Sequence, residues 1–172
     1  TLWNSEGQDG SGMGVIGQWL TPDLTRHHAE FVVNSDFRQG NQEWANIAVA
    51  EDDRFAVVWQ SSGQDGDDSG IVAQFFAADG SREGSSFVVN TLTVGRQRFA
   101  AVATGPARRF LVVWESSHAS PQGEEYTVYG QLLDAQGERI GNEFTVNPFT
   151  EGRQRYPDVV SLPKGYAVVW TS

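Results

Sequence analysis

The stretch Val57-Val58-Trp59-Gln60-Ser61-Ser62-Gly63-Gln64-Asp65-Gly66 joins a short apolar run to a glycine-bounded polar loop. The same join occurs at Leu2-Trp3-Asn4-Ser5, which is followed by Gly7-Gln8-Asp9-Gly10. At Val113-Trp114-Glu115-Ser116 the loop is replaced by His118-Ala119-Ser120-Pro121. Trp3, Trp59, Trp114 and Trp170 lie 56, 55 and 56 residues apart. A single residue type can fall at such intervals by chance, so the question is whether the rest of the unit keeps step.

It does. Gln18, Gln74 and Gln131 each enter an apolar segment, and Phe31 to Asn34 is matched by Phe87 to Asn90 and Phe144 to Asn147. Gly40-Asn41-Gln42 aligns with Gly95-Arg96-Gln97 and Gly152-Arg153-Gln154. An aromatic lies two positions beyond each of those glutamines: Trp44, Phe99 and Tyr156. Each unit reads as four short strands. The first is small and apolar, as in Ala100 to Ala103. The second carries the tryptophan and is apolar at nearly every position, so both of its faces are expected to be buried. The fourth alternates, as an outer strand does. No segment has a helical period.

The expected fold is therefore all-β, with four-stranded antiparallel blades of about 55 residues, β-propeller-like, in three repeats. The chain reads as one repeat domain, 1–172, with units at about 1–55, 56–110 and 111–166 and a partial fourth at 167–172. A closed propeller needs about four to eight blades. Three readings fit the count: a fragment of a longer array, a subunit that assembles with copies of itself, or a threefold β-prism or trefoil. Thr1 in place of Met fits a processed, cut or partly identified chain, and the duplicated tryptophan strand favours the first two readings. In either of those, edge strands would pair with other copies or flanking repeats.

The motif string resembles the β-propeller-like repeats of large bacterial secreted or surface proteins, which carry runs of the form VVW-S-GQDGSG-G-YGQ-DA-G-EF-VNT-T-G-Q. It survives here from Trp3 to Gln18, Val57 to Asn90 and Val112 to Asn147, so the likeness spans essentially the whole chain. The resemblance implies an extracellular or cell-surface, β-rich repeat protein and no defined activity.

Composition narrows the function classes. The net charge of −10 repels phosphate backbones and argues against nucleic acid as a partner. No apolar run is long enough to insert in a membrane as a helix. The absence of Cys removes disulfides and thiolate metal sites.

The acidic loop Gly63 to Gly70 places Asp65, Asp67 and Asp68 together, and Asp9 occupies the matching loop of the first unit. Carboxylates with glycine-exposed carbonyls suit calcium, although the spacing matches no EF-hand, and a solvated hairpin turn explains the same letters. Trp44, Phe99 and Tyr156 are either stacking platforms for glycans or fillers between blades. The repeated Gln and Asn side chains are expected to satisfy loop and strand-edge backbone groups. His27 and His28 have no third metal ligand near in sequence. No nucleophilic motif appears.

The resulting expectation is a non-catalytic structural or adhesive module, not an enzyme. The alternatives are a lectin-like carbohydrate-binding propeller and an accessory part of a polysaccharide-acting enzyme.

Overall fold

The computed structural model describes residues 1–120, 123–148 and 152–172. Pro121 and Gln122 in the third unit's insertion lie outside the described residues, as do 149–151. Thirteen strands are described in chain order. They are β1 (Leu2–Glu6), β2 (Met13–Leu20), β3 (Arg26–Val32), β4 (Gln42–Val49), β5 (Phe55–Ser62), β6 (Ser69–Phe76) and β7 (Arg82–Val88). They continue with β8 (Arg96–Gly105), β9 (Arg109–Ser120), β10 (Gly123–Leu133), β11 (Arg139–Thr145), β12 (Arg155–Leu162) and β13 (Gly165–Thr171). A single 3-10 turn at Pro106–Arg108 is the helical structure among the described residues, and no helix is long and apolar enough to cross a membrane.

The fold is all-β and propeller-like. β4-β5-β6-β7 and β8-β9-β10-β11 are two complete antiparallel four-stranded blades, joined by one parallel bridge between Ser69 and Arg96. β1-β2-β3 form a three-stranded sheet before them, and β12-β13 a two-stranded sheet after them. Each complete blade begins at the small-residue strand, so blade boundaries fall before β4 and β8, some residues upstream of the tryptophan that marks the repeat in sequence.

Three apolar clusters fill the three seams between neighbouring sheets. Trp59, Val57 and Phe55 pack with Val15 and Val33 in the first seam. Val58 and Ala56 face the second seam, with Trp114, Val112 and Phe110. Val113 and Leu111 face the third, near Val168 and Trp170. Alternate residues of one strand thus enter opposite seams, which is why the tryptophan strands are apolar without alternation. Val160, Leu162 and Val169 of the β12-β13 sheet stay exposed, as do Ile47 and Val49 on β4.

The recurring amides brace every blade. Gln18, Gln74 and Gln131 each donate from Nε2 to three backbone carbonyls, at a bulge between the third and fourth strands. Asn34, Asn90 and Asn147 each accept a backbone N–H through Oδ1, from Val15, Ile71 and Val128 at 2.9, 2.8 and 2.7 Å. Buried backbone groups left unpaired by the bulges and loops find their partners this way.

The first two sheets are also tied together by charge. Arg82 on β7 reaches Asp36 in the loop after β3, and the Ser86 amide donates to Asp36 Oδ2 at 2.7 Å. Hydrogen bonding from Arg82, helped by Ser86, holds the Asp36 carboxyl below its ordinary value of 3.8 despite partial burial. A carboxyl with a depressed folded pKa stabilises fully above its unfolded value, and the effect is lost as pH falls through the folded value. The stability gap between the native chain and Asp36→Asn is therefore expected to be constant above about pH 3.8 and to close below it. Urea unfolding of both proteins across that range checks this.

Candidate functional site

The predicted acidic loop is a turn with a structural carboxylate. Gly63 and Gly66 adopt φ of 73° and 99°, and Gly7 and Gly10 adopt 71° and 96°, so both glycines of each GQDG are required by the left-handed backbone. Asp65 Oδ2 accepts from Asn90 Nδ2 at 2.8 Å, and Asp9 Oδ2 accepts from Asn34 Nδ2 at 2.6 Å. Asp9 is buried. A Cβ on Gly14 or Gly70 would meet these carboxylates at 2.7 and 2.9 Å, which explains the glycine that follows each loop. Asp67 accepts from the Gly95 amide at 2.9 Å, and Asp68 pairs with Arg96 at 2.8 Å. The four sequence-predicted calcium ligands thus each have a protein partner. Among the described residues no group of three His, Cys, Asp or Glu side chains is placed to hold a metal ion, His27 and His28 included.

A different site emerges where the first strands of successive blades meet. β4, β8 and β12 each carry a bulge, between Glu43 and Asn46, Arg98 and Ala101, and Arg155 and Asp158. In each bulge the aromatic residue has positive φ: Trp44 at 56°, Phe99 at 52° and Tyr156 at 51°. That conformation costs a bulky side chain about 1 to 2 kcal/mol per residue, and it turns the ring off the strand. The three rings form a row. Trp44 and Phe99 centroids are 5.1 Å apart, and Phe99 and Tyr156 centroids 4.9 Å apart. Trp44 and Tyr156 are 56% and 51% exposed, so these rings are a surface platform and not fillers between blades. With Ala45, Asn46 and Asp158 they line a hollow of about 320 Å³.

The residue that follows each tryptophan supports the row from beneath. Asn4 Oδ1 accepts the Trp44 N–H at 3.4 Å, and Glu115 Oε2 accepts the Tyr156 N–H at 3.1 Å. Gln60 holds the equivalent place in the middle blade, and its Oε1 is buried without a donor. Glu115 is the one acid at this position. Its carboxylate is fully buried and gripped by Arg98 at 3.1 Å and by Arg155 at 3.3 Å. The Arg155 guanidinium lies between two rings, 4.4 Å from the Tyr126 centroid and 4.6 Å from that of Tyr156. Burial alone would lower the Arg155 pKa, but hydrogen bonding and Coulomb attraction to Glu115 outweigh it and raise the value. The platform is therefore rigidly footed at its Tyr156 end.

Two solved structures share this fold. A thermostable family-43 glycoside hydrolase matches with a TM-score of 0.54 at 13% identity, over 99% of this chain and 64% of that one. An endo-arabinase from Bacteroides thetaiotaomicron VPI-5482 matches with a TM-score of 0.54 at 14% identity, over 93% of this chain and 65% of that one. The chain thus spans slightly under two thirds of the length of either neighbour. No family model matches the sequence, and no match was found among curated proteins.

These matches overturn the expectation that the chain is not an enzyme, because the fold it shares is one that glycoside hydrolases use. The physical reason is that a catalytic site in such a fold needs only a few side chains brought together from different sheets. Such side chains depart from the repeat, so what the units have in common does not reveal them.

Proposed function

We propose that this chain is the glycan-contacting part of a polysaccharide-acting enzyme, and that the Trp44-Phe99-Tyr156 row is the surface on which sugar rings lie. The observation that carries this reading is the row itself: exposed Trp44 and Tyr156 with half-buried Phe99 between them, each ring held in a strained backbone conformation. A sugar ring has an apolar C–H face and a polar rim, and aromatic faces at this spacing suit the first while Asn46 and Asp158 suit the second. The two structural neighbours, a glycoside hydrolase and an endo-arabinase, support the same substrate class.

Hydrolysis by paired carboxylates needs a second acid within about 5 to 9.5 Å of the first. Asp158 is the carboxylate that lines the hollow, whereas Glu115 is committed to its two arginines. In this reading a second acid comes from another blade, in a ring completed over the exposed apolar end sheets by flanking repeats or by another copy. Secretion to the cell exterior, where polysaccharide substrates occur, is part of the same proposal.

The test is a screen of soluble polysaccharides and their oligomers, followed by tryptophan fluorescence titration. Trp44→Ala is expected to weaken binding of any hit about tenfold, equivalent to about 1.4 kcal/mol, without lowering the melting temperature. A hit whose affinity is unchanged by Trp44→Ala, Phe99→Ala and Tyr156→Ala alike would remove the platform from the account. A lectin-like binder would use the same row, and release of reducing sugar by the full-length protein separates the two readings.

A further inference from the structure

The register of the repeat exposes one unfinished seam, and the chain carries both of its halves. In the second and third seams, the first strand of one blade packs against the first strand of the blade before it. Val102 on β8 faces back into the second seam and is 5% exposed. Ile47 on β4 holds the same place in the repeat, yet it is 43% exposed. The sheet before β4 is the reason: among the described residues β1 pairs with β2 alone and has no strand on its inner side. Ile47 and Val49 therefore open onto a hollow of about 300 Å³, shared with Leu2, Trp19, Phe31 and Phe55.

The other half lies in the β12-β13 sheet. Ala48, Ala50 and Val58 face forward from the β4–β7 blade into the second seam. Val160, Leu162 and Val169 hold their places on β12 and β13, and all three are exposed. Among the described residues β13 pairs only with β12, so its outer edge carries backbone groups open to strand addition.

A receiving face and a donating face of the same kind of seam thus stand unused on one chain. About four to eight blades close a propeller, so two complete blades and two partial sheets do not meet end to end. From this register we propose that two copies of the chain join head to tail, each seating its β12-β13 hairpin as the inner two strands of the other's first sheet. The partner's β13 takes the place of β1 on β2. The repeat aligns Trp170 with Trp3, so the partner's Trp170 stands opposite Ile16, and the partner's Tyr166 stands opposite Leu20. β1 pairs with β2 from Met13 to Gly17 alone, so the exchanged strand covers more of β2 than the strand it displaces. The partner's Thr171 stands where Asn4 stood beneath Trp44. The partner's Val160 and the partner's Leu162 cover Ile47 and Val49, which removes the exposed apolar rows of both copies at once.

A head-to-tail contact closes only if its rotation does. Two copies give a ring of six blades, two complete ones from each copy and two shared, and a third copy gives nine, beyond the range of about four to eight. The partner's Tyr156 then lies beside Trp44, so the aromatic row continues across each seam. A second copy is thereby what completes the ring around the glycan site. The exchange itself rests on seam packing and holds whatever binds the row.

The test is sedimentation equilibrium of the intact chain across a wide range of concentration. A mass twice the 18.9 kDa of one chain is expected at the upper end. Val160→Lys with Leu162→Lys, and separately Ile47→Lys with Val49→Lys, place charge on one half of the seam each. These residues are exposed in the single chain, so both variants are expected to keep the native circular dichroism. Each variant spoils both seams of the ring and is expected to dimerise at least about a hundredfold more weakly. An equimolar mixture of the two retains one seam with both natural faces and is expected to recover the two-copy mass. A native chain that stays monomeric would assign the seam to another partner and overturn the proposal. So would a mass beyond two copies, variants that dimerise like the native chain, or a mixture that fails to associate. Sugar binding by the monomeric variants is read separately by tryptophan fluorescence, so failure of the exchange and failure of the glycan reading are distinguishable.

Discussion

Glu115→Ala is expected to lower the unfolding free energy by about 3 kcal/mol, the lower end of the cost of breaking a buried ion pair. The lower end applies because the partner side chains Arg98 and Arg155 are 17% and 22% exposed, and water partly reaches them once the carboxylate is gone. Removing the acid leaves two guanidiniums beside Tyr126 without their shared carboxylate and deprives the left-handed Tyr156 of its N–H acceptor. Glu115→Gln keeps the shape and one acceptor oxygen, so its cost is expected to lie between native and alanine. Urea unfolding measures all three. A loss below about 1 kcal/mol for alanine would mean that the cluster behaves as an exposed ion pair. The variant is also expected to loosen the Tyr156 end of the aromatic row while leaving Trp44, which rests on Asn4, in place.

Trp114→Ala is the second large effect. Its side chain is fully buried in the seam between the two complete blades, and truncating a buried tryptophan costs about 3 to 5 kcal/mol. Its indole Nε1 also donates to Gln97 Oε1 at 3.1 Å, whereas the indole nitrogen of Trp59, equally buried, has no acceptor. The pair isolates the hydrogen bond: Trp114→Phe is expected to cost about 1 kcal/mol more than Trp59→Phe. Equal costs would show that the Trp114–Gln97 bond contributes nothing beyond packing.

The architecture was legible because its determinants are local and repeated. A doubly buried strand must be apolar throughout, a bulge must be plugged by an amide, and a loop with two left-handed positions must carry glycines. The tryptophan reports its need four times, the glutamine three times and the glycine pair twice. The order of strands within a unit was read from the letters, small-residue strand first and tryptophan strand second, and the blades begin at β4 and β8; the unit bounds at about 1–55, 56–110 and 111–166 start instead at the tryptophan strand. The acidic loop has a partner that its letters do not show. Asp65 is conspicuous beside Asp67 and Asp68, yet it serves Asn90, which lies 25 residues away in sequence.

What stayed hidden depends on contacts between blades. Nothing in the letters around Trp44, Phe99 or Tyr156 announces a left-handed backbone, and their row exists because three bulges come side by side. One signal was present: after the tryptophans stand Asn4, Gln60 and Glu115, and the lone acid marks the place where two arginines converge.

The most direct test of the central claim is proton NMR of a bound neutral oligosaccharide. Sugar C–H protons lying on the faces of Trp44, Phe99 and Tyr156 are predicted to move upfield through the ring currents, and the shift is predicted to shrink in Trp44→Ala. An oligosaccharide that binds without upfield-shifted C–H protons, and that perturbs residues away from these three rings, would contradict the assignment of the aromatic row as the glycan surface.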